Sequence, residues 1–99
     1  MGLYFYTPQL GWAVGSGGTI LKTVDGGKKW EKVVSGTTAS LSAVFFLDEK
    51  QGWAVGANGT IRQSQDGGRT WHAQLVDTQV ALYGLSFVSP SEGWVVGGN

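Results

Sequence analysis

"GWAVGSGGTILKTVDGGKKW" occupies residues 11–30, and "GWAVGANGTIRQSQDGGRTW" occupies residues 52–71. Two glycine-bounded apolar runs, an Asp-Gly-Gly turn and a tryptophan recur in the same order, offset by 41 residues. The offset extends outward without a gap. Gly11, Gly52 and Gly93 form one series, Trp12, Trp53 and Trp94 a second, and Phe5, Phe46 and Phe87 a third. Asp25 pairs with Asp66, Trp30 with Trp71, Ile20 with Ile61 and Leu41 with Leu82. All five tryptophans fall on repeat positions, which leaves none as an unexplained ligand-stacking ring. A fixed period of this length marks a repeat architecture, in which each unit is one supersecondary element.

Within a unit the strand signals are short and evenly spaced. "LSAVFFLD" (41–48) is an apolar run with β-branched and aromatic content, and predicts a strand covered on both faces. A turn follows at Glu49-Lys50-Gln51, matched by Pro8-Gln9-Leu10 and Pro90-Ser91-Glu92. "GWAVG" predicts a second strand. "NGT" at 58–60 predicts a tight hairpin, because Asn-Gly tolerates the positive φ such turns require. "TILKTV" and "TIRQSQ" make a third, more polar strand, and "WEKVVSG" and "WHAQLVD" a fourth. No segment carries a helix period.

Four antiparallel strands in about 40 residues is the unit of a β-propeller blade. The polarity gradient agrees, with an apolar first strand suited to the hub and a charged fourth strand suited to the rim. The predicted fold is all-β: propeller blades at 1–40 and 41–81, and the first hairpin of a third at 82–99, about 2.4 blades in all. Propellers close with about four to eight blades, and both ends of this chain carry strands one and two. The expectation is therefore a partial propeller. Its outer blade faces and its open strand-two edge would favour self-association.

Composition removes several function classes. Seven basic residues balance seven acidic ones, so there is no basic patch for nucleic acid. The absence of cysteine excludes disulfides and thiolate zinc sites. No apolar run approaches the roughly 18 residues of a membrane span, and residues 1–30 show no signal-peptide pattern. No cofactor, metal, nucleic acid or direct membrane insertion is predicted.

Thr23, Asp25, Gly27 and Trp30, with Ser64, Asp66, Gly68, Thr70 and Trp71, resemble the Asp box, S/T-x-D-x-G-x-T-W. That motif recurs in sialidases, other propeller glycosidases and sortilin-like receptors. The second copy fits throughout, and the first has Lys29 where the motif prefers Thr. A short Asp side chain can accept hydrogen bonds from the amides of its own turn, and glycines supply φ values that other residues resist. The trailing Trp then lays a large apolar face on the sheet. A catalytic or calcium-binding role fits less well. These acids recur once per blade, whereas an active site is normally unique in a ring, and neither D-x-D-x-D-G nor G-G-x-G-x-D is present.

The wider pattern "GWAVG..GTI..(T/S).DGG..W", preceded by a Phe-containing apolar strand, resembles the repeat of the Ycf48/Hcf136 photosystem II assembly factor family. It is carried by Gly11–Gly15, Gly18–Ile20, Asp25–Gly27 and Trp30, by their counterparts 41 residues on, and by Gly93–Gly97. The resemblance implies a non-catalytic propeller of the seven-bladed type, exported to the periplasm, the thylakoid lumen or the cell exterior. It also implies a protein partner, the membrane-embedded D1 subunit. The alternative is a piece of an Asp-box glycoside hydrolase, sialidase-like or xyloglucanase-like, with its catalytic residues on other blades.

Such a hydrolase needs two carboxyl groups roughly 5–10 Å apart. Outside the Asp boxes the acids are Glu31, Asp48, Glu49, Asp77 and Glu92, and they read as solvated turn and rim residues. Arg62 and Arg69 are the only arginines, too few for a sialidase-type carboxylate clamp. His72 reads as a lone surface histidine on the rim strand. The segments that differ most between units are the linkers "VVSGTTAS" (33–40) and "QLVDTQVA" (74–81). Loops on a rigid scaffold commonly carry binding. Ser35, Thr37, Thr38, Asn58, Asp77 and Gln79 are accordingly the candidate partner face, at the blade end opposite the Asp boxes.

Overall fold

The computed structural model describes residues 2–74, 81–89 and 92–98. Strands β1 (Gly2–Phe5), β2 (Gly11–Val14), β3 (Ile20–Thr23) and β4 (Glu31–Val33) lie side by side in chain order, each antiparallel to the next. One period later β5 (Leu41–Phe46), β6 (Gly52–Gly56), β7 (Ile61–Ser64) and β8 (His72–Ala73) repeat that sheet. β9 (Ala81–Ser89) and β10 (Glu92–Gly98) form a third, two-stranded hairpin. The register repeats as well: Val14 faces Ile20 as Val55 faces Ile61, and Gly11 faces Thr23 as Gly52 faces Ser64.

The β6–β7 connection is tight because Asn58 and Gly59 both adopt left-handed φ, at 59° and 68°. That geometry lets the Thr60 N–H reach back to the Ala57 carbonyl at 3.1 Å. Gly17 and Gly18 do the same between β2 and β3.

Successive sheets stack through their first strands. β5 lies against β1 and β2, and β9 lies against β5 and β6. Each joint is keyed by the same aromatic pair, repeated one period on. Trp12 stacks on Phe46 with ring centroids 3.4 Å apart, and Trp53 on Phe87 at 3.7 Å, both nearly parallel. The Phe46 ring lies across Gly52, its partner in the β5–β6 ladder, where a Cβ would meet ring carbons at 2.5 Å. The glycine that opens "GWAVG" is thus required by the ring beside it.

Burial follows the order of strands. β6 is buried along its whole length, whereas the described fourth strands are largely exposed. β1 departs from the expected two-sided burial, with Leu3 63% and Phe5 36% exposed. Among the described residues no sheet packs against its outer face. Trp94 differs from Trp12 and Trp53 for the corresponding reason at the other end, being 61% exposed where they are fully buried.

Candidate functional site

The Asp-box turns close the β3–β4 and β7–β8 connections. In the second box, Ser64 ends β7 and its hydroxyl accepts the Gly68 N–H at 2.8 Å while donating to Asp66 Oδ1 at 2.9 Å. Asp66 Oδ1 also accepts the amides of Arg69 and Thr70 at 3.1 and 3.0 Å, and Oδ2 accepts the Thr70 hydroxyl. Trp71 then folds back, donating its indole N–H to the Gly68 carbonyl at 2.9 Å. In the first box the Thr23 hydroxyl donates to Asp25 Oδ1 at 2.8 Å and accepts the Gly27 amide at 3.0 Å. Asp25 Oδ1 accepts the Lys29 amide at 2.9 Å. Lys29 has no hydroxyl to add the last bond.

These donors set the acidity of both carboxylates. The Lys29 amide and the Thr23 hydroxyl hold Asp25 below the usual Asp range. For Asp66, desolvation acts upward but is outweighed by the Thr70 hydroxyl and amide, the Ser64 hydroxyl and the Arg69 amide, which bring its pKa down to about 2. A folded pKa below the unfolded value means that stabilisation is present above about pH 4 and is lost as pH falls through about 2. Asp66→Ala should therefore destabilise the fold at neutral pH by about 1–2 kcal/mol. The figure is modest because the amides it frees are exposed to water. Urea unfolding should show the gap to the parent narrowing between pH 4 and pH 2, and Asp25→Ala costing less than Asp66→Ala. A variant that unfolds like the parent yet loses calcium or sugar binding would overturn the turn-fastening role.

The second box also reaches into the first sheet. Trp12 Nε1 donates to the Gly67 carbonyl at 3.1 Å, a buried bond spanning 55 residues of sequence. Nothing in the motif signals this bond.

At the opposite end of the blades, the linker after β4 curls over the β2–β3 turn. Gly17, Gly18 and residues 32–38 line an open groove of about 740 Å3. Ser35 is buried, its hydroxyl donating to the Gly18 carbonyl at 2.6 Å, so it shapes the groove from beneath. Thr37 is half-buried, Thr38 and Asn58 are exposed, and Asp77 and Gln79 lie outside the described residues. Arg62 braces the same loop from the neighbouring sheet. Its Nε donates to the Ser35 carbonyl at 2.8 Å and its Nη2 to the Trp71 carbonyl at 3.5 Å. The sequence did carry a signal for this residue, because Leu21 stands at the same position one unit earlier.

Beside the Asp boxes, a smaller cleft of about 480 Å3 mixes Lys22, Lys50 and Arg69 with Glu49 and Asp66. Burial, then the Arg69 charge, lower the Lys22 pKa, opposed by Asp66 and Glu31. Asp48 caps its own turn, accepting the Lys50 and Gln51 amides at 2.8 and 2.7 Å, which lowers its pKa. Glu31, Glu49, Glu92 and His72 are exposed. Among the described residues no three His, Asp or Glu side chains converge as metal ligands.

Residues 33–99 match the family described as "Photosynthesis system II assembly factor YCF48". The chain belongs to this family. Among solved structures, a YCF48 protein bound to a D1 peptide superposes with a TM-score of 0.85 at 24% identity, covering 98% of this chain and 33% of that one. YCF48 from Cyanidioschyzon merolae superposes at 0.82 with 23% identity, covering 96% and 34% respectively. The chain spans about a third of the length of these YCF48 proteins, and its sheets are blades of the same β-propeller fold. No relative matches among the curated proteins.

Proposed function

We propose that this chain is a non-enzymatic, protein-binding part of a YCF48-type propeller, and that its partner is a photosystem II subunit. The observation that carries the proposal is the family match over residues 33–99, joined to a solved YCF48 protein that is bound to a D1 peptide. The site we assign is the loop end of the blades, where the groove beside Thr37 and Thr38 is held rigid by Ser35 and Arg62. Rigid loops limit the ordering cost of binding. Titration with the D1 peptide of that complex, followed by hydrogen exchange, should protect residues 35–40, 56–60 and 76–81. Little change is expected at 25–29 and 66–70. Protection confined to the Asp-box turns would move the site to the other end, and no binding would remove the proposal.

A further inference from the structure

Of the five lysines only Lys22 is half-buried; Lys28, Lys29, Lys32 and Lys50 are exposed. Lys22 stands on β3, opposite Glu31 of β4 in the ladder. Its side chain reaches the neighbouring sheet, where the amine lies against the second Asp-box turn. A Cβ on Gly67 would stand 3.3 Å from Lys22 Nζ. Two clefts meet at this point. The cleft of about 480 Å3 and another of about 290 Å3 share Lys22 and Arg69 in their linings, and no other residue.

The charges around the amine are uneven. Asp66 is committed to its own turn, its two oxygens accepting from Ser64, Arg69 and Thr70. Glu31 and Glu49 are exposed. Arg69 serves the turn through its backbone amide, which leaves its guanidinium outside the Asp-box bonding. Burial and the Arg69 charge favour the neutral amine of Lys22 over the ammonium, against Asp66 and Glu31. A lysine desolvated beside another cation is a nucleophilic amine. The same cation, a planar guanidinium, matches the oxygens of a phosphoryl group.

We propose that Lys22 is an acylation site, and that the cleft it shares with Arg69 selects small acyl phosphates as donors. Arg69 holds the phosphoryl oxygens, with Lys50 in the same cleft, and the acyl carbonyl is placed at Lys22 Nζ. The amine lone pair attacks the carbonyl carbon, the carbon–oxygen bond to phosphate breaks, and phosphate leaves with the electron pair. The proton displaced from nitrogen passes to that phosphate. The products are an amide and hydrogen phosphate, with no oxidant or further reactant needed. The amide removes the Lys22 charge from the joint between the first two sheets. The site lies at the Asp-box end, away from the groove beside Thr37 and Thr38, and is independent of the partner assigned there.

The test treats the full chain with acetyl phosphate and follows each lysine by peptide mapping and mass spectrometry. Lys22 should be acetylated about tenfold faster than the mean of the four exposed lysines, the worth of one charge-assisted contact to the donor. Inorganic phosphate in excess should slow Lys22 and leave the other four unchanged. The N-hydroxysuccinimide ester of acetic acid carries no phosphoryl group, and should acetylate Lys22 no faster than the exposed lysines. Arg69→Gln keeps the backbone amide that Asp66 accepts, and should bring Lys22 down to the rate of the others with acetyl phosphate. Should that variant not fold, the phosphate competition and the comparison of donors decide alone. Equal rates at all five lysines with acetyl phosphate would overturn the proposal. So would a Lys22 advantage that persists with the ester or under excess phosphate, which would mean a reactive amine without a phosphoryl site.

Discussion

Phe46→Ala should lower the stability of the chain by about 3–5 kcal/mol, the range for deleting a large buried aromatic side chain. Phe46 is fully buried at the joint between the two complete sheets. Its ring stacks on Trp12 at 3.4 Å and meets Trp71 edge-on at 5.8 Å. It also fills the space above Gly52. Truncation leaves a cavity with three aromatic or glycine walls that cannot collapse without moving two sheets. The neighbouring Phe45, only half-buried and tilted against Tyr4 at 5.3 Å, is the control. Urea unfolding followed by tryptophan emission should place Phe46→Ala far below Phe45→Ala. Equal losses would mean that the joint between sheets is not where the stability resides.

Gly68→Ala should cost about 3 kcal/mol, and Gly27→Ala, at the same position of the first Asp box, about 1 kcal/mol. Both glycines have left-handed φ, 88° at Gly68 and 94° at Gly27, so the backbone strain of adding a side chain is shared. The surroundings differ. A Cβ on Gly68 would stand 2.5 Å from Trp12 Nε1, whereas on Gly27 the nearest atom, in the Trp30 ring, is an ordinary 3.6 Å away. To fit, Gly68→Ala must push Trp12 away from its hydrogen bond to Gly67 and off the Phe46 ring. The difference between the two variants therefore reads the contacts Trp12 makes between the sheets, its bond to Gly67 and its stack on Phe46, by thermal or urea unfolding. Similar costs at the two sites would show that the turn does not clamp Trp12.

The repeat, the strand order, the all-β class and the Asp-box turns were legible because each rests on residues close in sequence. The Asp66 bonds to Ser64, Arg69 and Thr70 span four residues or fewer, and the Asn58-Gly59 turn closes over three. A residue list carries such geometry directly, since a local turn has few ways to satisfy its own donors. The burial of Ser35 was less accessible. A serine between Val34 and Gly36 reads as an exposed loop residue until the β2–β3 turn comes down on it.

The sequence by itself determined which residues pair within a sheet, because a period of 41 repeats every strand and turn in the same register. Only the tertiary structure decided which atoms meet between sheets. Trp12 finds the Gly67 carbonyl 55 residues away, and Arg62 reaches back to Ser35. Those outcomes depend on how far one blade is turned against the next. That angle is set by the packing of whole aromatic faces, Trp12 on Phe46 and Trp53 on Phe87, and not by any short motif.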